Sequence, residues 1–168
     1  MGISQYIKEI GRGARGAKPL TPEQATDLFG QVLDGTVTDL EIGGFCLAMR
    51  IKGETPEEMA GFLDATRARL NLLPAADAPV VVLPSYNGAR RLPVLTPLLA
   101  LLLAQRGLAV LVHGTSTGST RVFITEVLDA VGIPVLDTLR PLRQGEAAFA
   151  PTELLHPGLK RLLDVRRV

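Results

Sequence analysis

Apolar side chains recur with helical spacing along the N-terminal part of the chain. Behind Thr21, the positions i, i+3, i+4, i+7 and i+8 are filled by Ala25, Leu28, Phe29, Val32 and Leu33. A similar face follows Thr55 and is made of Met59, Phe62, Leu63, Thr66 and Leu70. This period brings the apolar residues onto one side of a helix. The pattern predicts a small antiparallel helical bundle, preceded by a short helix near residues 3–10.

Polar residues mark three helix starts in the same part of the chain. The segments TPEQ, TDLE and TPEE each place Thr at a cap position and Glu or Gln three residues later. In this capping box the two side chains accept hydrogen bonds from backbone N–H groups that the helix itself leaves unbonded. Pro22 and Pro56 fall at the first helical position, where proline is favoured. Helices are therefore predicted to begin after Thr21, Thr38 and Thr55.

The pattern changes after residue 74, where short continuous apolar runs alternate with longer segments. The runs Val80–Leu83, Leu108–Val112 and Ile133–Leu136 are predicted strands, because uninterrupted apolar runs of this length are typical of buried parallel sheets. A helix that begins with Thr96 and Pro97 is apolar nearly all round, so we expect it to be capped by Thr96 and buried. The alternation of strand and helix predicts a parallel sheet with right-handed crossovers.

Helical patterns return over Thr120–Val131 and Pro151–Val165. The predicted fold class is α/β, with a small all-α helical bundle over residues 1–74 and the first half of an open parallel α/β layer over residues 79–150. Residues 151–168 are predicted to form a helix that returns to the small domain. The three predicted strands are fewer than the ~5–6 of a typical sheet. We therefore expect the α/β layer to be incomplete at its C-terminal end.

Composition narrows the class of protein. A chain of 168 residues with 46% hydrophobic residues can bury a sizeable core. Cys46 is the single cysteine, which excludes an internal disulfide and favours a reducing compartment. The start of the chain lacks the apolar region of a signal peptide, and its apolar runs are shorter than the ~20 residues that span a bilayer. We therefore expect cytoplasmic localisation and no membrane contact.

Charge is segregated along the chain although the net charge is only +1. Residues 21–80 hold ten acidic and four basic side chains, whereas residues 1–20 hold four basic and one acidic side chain. Such asymmetry permits a local site for a polyanion. A candidate basic track comprises Arg12, Arg15, Lys18, Arg50 and Lys52. The alternative is that these charges are simply solvated, several of them on a flexible loop over residues 11–18.

The loop after the first predicted strand carries the main candidate site. It contains Asn87, Gly88, Arg90 and Arg91. Ligands of parallel α/β folds bind beyond the carboxyl ends of strands, and a guanidinium group binds phosphate with two parallel hydrogen bonds. We therefore predict phosphate contacts by the two arginines. The alternative is a solvated turn, or a salt bridge to the acidic bundle.

The loop after the second predicted strand is a weaker candidate. His113, Gly114 and Ser116 precede a predicted helix, where glycine and hydroxyl groups can hold a phosphate. The same loop also fits a plain helix start without a ligand. His113 could act as a general base, but a histidine at a strand end is more often held structurally. The sequence offers no Ser or Cys partner for His113 at diagnostic spacing, so we predict no catalytic residue. We also predict no metal site.

Longer motifs give the chain a family resemblance. LEIGGFCLAMRIKGETPEEMAGFLDA, PSYNGARR, LTPLLALLL and VLVHG resemble the N-terminal portion of anthranilate phosphoribosyltransferase-like proteins of glycosyltransferase family 3. In particular, they are similar to the YbiB-type family, whose members are described as DNA-binding homodimers and not as enzymes. The resemblance implies a small helical domain, a larger α/β domain and a homodimer formed through the helical domain. For the enzymes of the family it implies Mg²⁺ and phosphoribosyl diphosphate.

The chain departs from the enzymes at their phosphate-binding positions. Their Gly-Thr-Gly-Gly-Asp loop falls on Pro84–Gly88, and proline has no N–H to donate. Their phosphate-binding Asn falls on Val94, and the Lys before His-Gly falls on Val112. The Asn and Arg after His-Gly fall on Thr115 and Ser116. Phosphoribosyl transfer depends on such placed donors and on a metal, whose acidic ligands in the enzymes would lie beyond residue 168.

The resemblance and these departures together give two functional expectations. The first is nucleic-acid binding without catalysis and without a cofactor. Because aromatic platforms for base stacking are nearly absent, we expect this binding to rest on phosphate contacts and to be independent of sequence. The alternative is a phosphoribosyltransferase that acts on a small aromatic or base acceptor with phosphoribosyl diphosphate and Mg²⁺.

Overall fold

The computed structural model describes residues 2–85, 94–116 and 124–165. The chain divides into two compact units. The helical unit comprises Met1–Leu70 and Gly158–Val168, and the α/β unit comprises Asn71–Pro157. The helices are α1 (Ser4–Ile10), α2 (Gly13–Gly16), α3 (Pro22–Asp34), α4 (Asp39–Lys52), α5 (Pro56–Arg67), α6 (Thr96–Gln105), α7 (Ile124–Ala130), α8 (Thr152–Leu155) and α9 (Pro157–Val165). The strands are β1 (Val80–Pro84), β2 (Ala109–Gly114) and β3 (Ala147–Pro151).

The three predicted capping boxes all form in the helical unit. At α3, α4 and α5 the cap threonine accepts the N–H of the residue three positions later, whose side chain accepts the N–H of the cap in return. Helices α3 and α5 also begin with proline at the predicted position. These helix starts are fixed by contacts within four residues, so the sequence predicts them well.

A single core cluster holds the helical unit together. Phe29, Phe45 and Phe62 pack with ring centroids 5.1–6.3 Å apart. Helices α3 and α5 cross at Gly61, where an added Cβ would overlap the carbonyl oxygen of Pro22. Leu162 of α9 joins the same cluster, so the core is completed by residues from both ends of the chain.

The α/β unit contains a parallel three-stranded sheet in the order β1-β2-β3. Val82 of β1 lies opposite Leu111 of β2, which lies opposite Ala148 of β3. Two apolar clusters cover the sheet, one built around Val110, Val112 and Phe149 and the other around Leu111, Leu136 and Ala148. The fold class predicted from the sequence, a helical bundle with an open parallel α/β layer, is confirmed.

The third strand differs from its prediction. Residues 133–136 contribute only an isolated bridge from Val135 to Phe149, and the strand beside β2 is Ala147–Pro151. Every residue of this strand is buried. Small alanines fit the crowded centre of the unit even though their intrinsic strand preference is low. Ile133 and Leu136 are buried beside the strand instead of within it.

Helix α6 is less buried than its composition predicts. Pro97 and Ala100 are buried, whereas Leu98, Leu99 and Leu102 are 54%, 46% and 52% exposed. The predicted threonine cap is also absent, because Thr96 is already the first helical residue and Leu95 occupies the cap position without a side-chain bond. An apolar helix can lack a cover on one side, which a pattern without periodicity does not reveal.

Two further segments differ from the sequence-based prediction. The basic segment over residues 11–18 was predicted to be a loop, but it contains the short helix α2. The predicted helix over Pro151–Val165 is divided into α8 and α9 at His156, because Pro157 lacks an N–H and forces the preceding residue out of helical geometry. His156 is only 3% exposed and so is not a surface residue.

No helix in the described part of the chain combines the length and the apolar character needed to cross a membrane.

Candidate phosphate-binding site

The carboxyl ends of the three strands lie side by side at one edge of the sheet. Pro84 is in register with His113, and Gly114 is in register with Pro151. The backbone N–H of Ser85 donates to the carbonyl of His113 at 2.7 Å, which ties the start of the first loop to the end of β2. This edge is where parallel α/β folds bind their ligands.

Gly114 is required at this edge by a close approach. An added Cβ at this position would overlap the hydroxyl oxygen of Ser85. The glycine therefore lets Ser85 pack closely against the end of β2. Its predicted contact with a phosphate stays a prediction.

Ser116 is hydrogen-bonded to an acidic residue that the sequence did not single out. Its hydroxyl donates to Oε1 of Glu153 at 2.7 Å, and its carbonyl accepts from the hydroxyl of Thr125 at 3.4 Å. Glu153 lies in the first turn of α8, directly after β3. The carboxylate places a negative charge at an edge where an anion is expected. Glu153 could be recognised as a residue of this edge only once β3 was placed correctly.

His113 is half-buried at the end of β2. Burial lowers the pKa of its imidazole below the ordinary value of 6.5, because the charged form is the one that loses hydration. At neutral pH the side chain is therefore mostly uncharged. A neutral imidazole can donate or accept a hydrogen bond but does not attract a phosphate as a cation would.

The first-loop candidates Asn87, Gly88, Arg90 and Arg91 lie outside the described residues. Their contact with phosphate stays a prediction from the sequence.

Four candidates of the basic track are exposed in the helical unit, namely Arg12, Arg15, Lys18 and Arg50. Arg15 lies in the last turn of α2, and Lys18 follows it. Arg12, in contrast, forms an exposed ion pair with Glu9 at 2.7 Å. The side chains of Arg15 and Lys18 are accessible to a ligand from solvent.

Lys52 has a structural role within the helical unit. Its ammonium group lies 2.6 Å from Oε2 of Glu58, and the two side chains are only 8% and 0% exposed. The same carboxylate accepts the backbone N–H groups of Leu20 and Thr55, each at 2.9 Å. The buried carboxylate of Glu58 therefore links the segment at Leu20, the end of α4 at Lys52 and the start of α5 at Thr55. Because its ammonium neutralises Glu58, Lys52 is removed from the track that we propose for phosphate.

Burial alone would raise the pKa of the Glu58 carboxyl, since desolvation disfavours its charged form. The Lys52 ammonium and the N–H groups of Leu20 and Thr55 outweigh this effect, so the pKa lies below the ordinary value of 4.5. The Glu58 carboxyl is therefore ionised at neutral pH.

Among the residues of the described ranges, no three His, Cys, Asp or Glu side chains come together in a way that could hold a metal ion.

Comparisons with known proteins agree with this architecture. Residues 4–70 match the glycosyl transferase family, helical bundle domain. Over 172 residues the chain is 41% identical to the uncharacterized YbiB protein of Escherichia coli K12, which covers 99% of the chain and 54% of that relative. It is 31% identical to anthranilate phosphoribosyltransferase of Methanosarcina acetivorans, over 99% of the chain and 45% of the enzyme. The chain thus spans about half the length of these curated relatives.

Solved structures show the same fold. Anthranilate phosphoribosyltransferase from Thermus thermophilus superposes with a TM-score of 0.74 at 24% identity, over 98% of this chain and 49% of the enzyme. The enzyme from Saccharomyces cerevisiae in complex with PRPP and Mg superposes with a TM-score of 0.64 at 13% identity, over 98% of this chain and 48% of the enzyme. The chain is thus similar to anthranilate phosphoribosyltransferases, as its motifs predicted, and its residues 4–70 match the helical bundle domain of the glycosyl transferase family.

Proposed function

We propose that the chain binds the phosphate groups of nucleic acid on a phosphoribosyltransferase-type scaffold and does not transfer a phosphoribosyl group. The observation that carries this proposal is Val112, which is fully buried in the apolar core of the α/β unit. In the enzymes of the family this position before His-Gly holds a lysine. Pro84, at the end of β1, likewise has no N–H to offer to a diphosphate.

The proposed phosphate contacts come from Arg90 and Arg91 in the first loop, with Asn87 and Gly88 beside them. Arg15 and Lys18 would add contacts from the helical unit. Phosphate contacts carry no base information, so binding should be nearly independent of sequence. The proposed location is the cytoplasm, and the proposed binding requires no cofactor.

Salt dependence tests the arginine contacts. Each phosphate contact releases counterions, so the plot of log K against log salt should become shallower by roughly 0.7–0.9 for each phosphate contact that the double variant Arg90→Ala/Arg91→Ala removes. Fluorescence anisotropy with a labelled oligonucleotide measures this slope. Arg106→Ala, which removes an exposed arginine after α6, is the matched control and should keep the wild-type slope. An unchanged slope in the double variant would exclude both arginines from the site.

Phosphoribosyl transfer is the second candidate function. The names of several relatives, all anthranilate phosphoribosyltransferases, support this candidate more than they support nucleic-acid binding. Magnesium takes oxygen ligands, commonly one or two carboxylates together with substrate phosphates, and Glu153 supplies a carboxylate at the strand ends. The acceptor would be a small aromatic compound or a base.

Calorimetry with phosphoribosyl diphosphate separates the two candidates. Titration with and without Mg²⁺ should show no metal-dependent binding if the chain only binds nucleic acid. Binding at micromolar concentration that disappears when Mg²⁺ is chelated would instead favour the transferase. The oligonucleotide experiment and this titration have independent readouts.

We also propose that the chain forms a homodimer through the exposed face of α4. Leu40 and Leu47 are 86% and 62% exposed, and Ile51 is also exposed. Their spacings of seven and four residues place them on one face of the helix. Gly43 lies on the same side, and an added Cβ there would meet open space. An exposed apolar stripe beside a small residue is suited to close helix packing.

Light scattering tests this assembly. Leu47→Asp should convert the dimer to a monomer, because it places a charge in the proposed interface. Leu63→Asp, on the outer side of α5, is the control and should leave the dimer intact. A wild-type protein that is monomeric at high concentration would overturn the proposal.

A further inference from the structure

Lys18 is an exposed residue on a backbone that is fixed from both sides. On one side its own N–H donates to the carbonyl of Glu9 in α1 at 3.1 Å. On the other side the N–H of Leu20 donates to Oε1 of Glu58 at 2.9 Å, in a buried hydrogen bond. Residues 18–20, which we call the lysine arm, are therefore held in place although they form neither helix nor strand.

Pro19 makes the lysine arm stiff. The proline ring holds its own backbone angle φ at about −65° and keeps the preceding residue, Lys18, out of helical geometry. Leu20 is only 3% exposed and belongs to the core of the helical unit. A shift at the N–H of Leu20 is therefore passed on to Lys18, which lies two positions earlier in the chain.

Glu58 makes more bonds than its capping box requires. A capping box needs only the bond to the N–H of the cap, which here is Thr55. The carboxylate is fully buried and also accepts the N–H of Leu20, which belongs to a different segment. A buried backbone N–H needs a partner, and its bond to a carboxylate is about twice as strong as a bond between neutral groups. Glu58 is thus the anchor of the lysine arm.

The anchor is electrically neutral as a whole. The ammonium group of Lys52 lies 2.6 Å from Oε2 of Glu58 and also donates to the carbonyl of Gly53. Without this counter-charge, a carboxylate beside the arm would repel a phosphate and weaken its attraction to Lys18. The side chain of Lys52 is only 8% exposed, so it neutralises the anchor and does not itself reach a ligand.

We propose that Glu58 is a positioning residue for phosphate binding, which it serves by holding the lysine arm in place for Lys18. The inference rests on the proposed function, in which Lys18 contacts a phosphate. A lysine on a fixed backbone loses less conformational freedom on binding than a lysine on a flexible loop. Glu58 itself is buried and does not touch the ligand. Its removal should therefore weaken binding only through Lys18.

A matched pair of double variants tests the anchor. Lys52→Met/Glu58→Met removes the acceptor of the Leu20 N–H and leaves the net charge unchanged. Lys52→Met/Glu58→Gln also keeps the net charge, but its amide oxygen can still accept this N–H. In fluorescence anisotropy with a labelled oligonucleotide, the first variant should bind about threefold more weakly than the wild type. The second variant should recover most of this loss.

The Lys18→Ala background separates positioning from a general loss of stability. If Glu58 acts through Lys18, the two double variants should bind equally once Lys18 is replaced. An equal loss in both backgrounds would show a general loss of stability and overturn the inference. Asp34→Met/Arg69→Met removes another ion pair of the helical unit and is the control, which should keep the wild-type affinity.

Pro19→Gly loosens the lysine arm without altering the core, because Pro19 is exposed. It should also weaken binding about threefold, and only while Lys18 is present. This variant tests the arm even if the methionine variant does not fold. Hydrogen exchange of the Leu20 amide gives a readout that needs no ligand. Exchange should be slow in the wild type and in the glutamine variant, and faster in the methionine variant.

The outcomes separate the role of Glu58 from the proposed function. Equal affinity of the two double variants, unaltered binding by Pro19→Gly, or unchanged exchange at Leu20 would overturn the role of Glu58. Binding of the oligonucleotide by the wild type would then still support the proposed function. A wild-type protein that does not bind the oligonucleotide would overturn the proposed function and, with it, this inference.

Discussion

The two units differ in how completely they bury their own apolar and charged groups. The helical unit closes around one core, and even its buried carboxylate at Glu58 has a cation and two N–H donors as partners. The α/β unit covers the centre of its sheet but leaves β1 and the leucines of α6 exposed. The helical unit thus satisfies its buried charge internally, although Leu40 and Leu47 of α4 are exposed, whereas the α/β unit exposes apolar residues both on α6 and at Val82 of β1.

The largest expected loss of stability would come from breaking the buried ion pair of Lys52 and Glu58 in the helical unit. Glu58→Gln should lower the free energy of unfolding by about 3 kcal/mol, because it leaves the Lys52 ammonium buried without a counter-charge. Lys52→Met in the same chain should recover part of this loss. Urea denaturation of the two single variants and the double variant measures the coupling. Additive losses would show that the pair contributes nothing.

The pH dependence of this pair has a defined sign. The folded-state pKa of Glu58 is lower than its ordinary value of 4.5, so its contribution to stability is present above that pH. The contribution should be lost as the pH falls from 4.5 through the folded-state pKa. Glu41→Gln, at the corresponding capping-box position of α4, should cause a smaller loss because Glu41 is less buried.

The crossing of α3 and α5 provides the next largest effect. Gly61→Ala should destabilise the protein by about 2 kcal/mol, since the new methyl group overlaps the backbone of Pro22 and the side chain of Ala25. Gly43→Ala is the matched control in another helix interior, and both variants are compared in the Leu47→Asp background because Gly43 borders the proposed dimer face. It meets open space and should be neutral or stabilising by up to about 1 kcal/mol. Equal melting temperatures for the two variants would contradict the close crossing.

In the α/β unit, the carboxylate at the strand ends should weaken phosphate binding. Glu153→Gln should raise the affinity for a short oligonucleotide about threefold at low salt, and less at high salt, because it removes an exposed like charge. Asp129→Asn removes an exposed acid on α7 and should leave the affinity unchanged. Equal affinity for wild type and Glu153→Gln would place the phosphate away from this edge.

The smallest expected effect concerns His113. Its imidazole should titrate with a midpoint below 6.5, which NMR of the ring protons can follow. The unfolded chain takes up this proton at a higher pH than the folded chain does. Stability should therefore decrease as the pH falls from 6.5 toward the folded-state pKa, a window that begins at a higher pH than that of Glu58. A midpoint at or above 6.5 would mean that the side chain is more solvated than its position indicates.

The sequence predicts the helical unit better than the α/β unit, because local contacts decide where the helices begin. A capping box is decided by residues three positions apart, so Thr21 and Gln24 specify the start of α3 directly. Strand β3 is decided by its pairing with β2 more than thirty residues earlier. Its alanines give little local strand signal, whereas residues 133–136 give a strong one without forming the strand.

In the candidate site, too, the sequence predicts the features that depend on local contacts and misses those that depend on tertiary contacts. The positions of His113, Gly114 and Ser116 at a strand end follow from the local pattern of β2. The partner of Ser116 was missed because Glu153 comes into place only through β3. The pairing of Lys52 was missed because Glu58 returns to it across the turn between α4 and α5. Side-chain pairs that depend on tertiary contacts are not visible in a pattern of hydrophobic and polar residues.

The path of the chain through the two units has a consequence for synthesis. The α/β unit is an insertion in the helical unit, and Asn71 at its start donates to Leu154 and Leu155 near its end. On the ribosome, α1 to α5 emerge before the insertion, whereas Leu162, which completes their core, emerges after it. At roughly 5–20 residues per second, the nascent bundle waits several seconds with an unfilled core. The core of the helical unit is therefore completed only after the whole inserted unit has been synthesised.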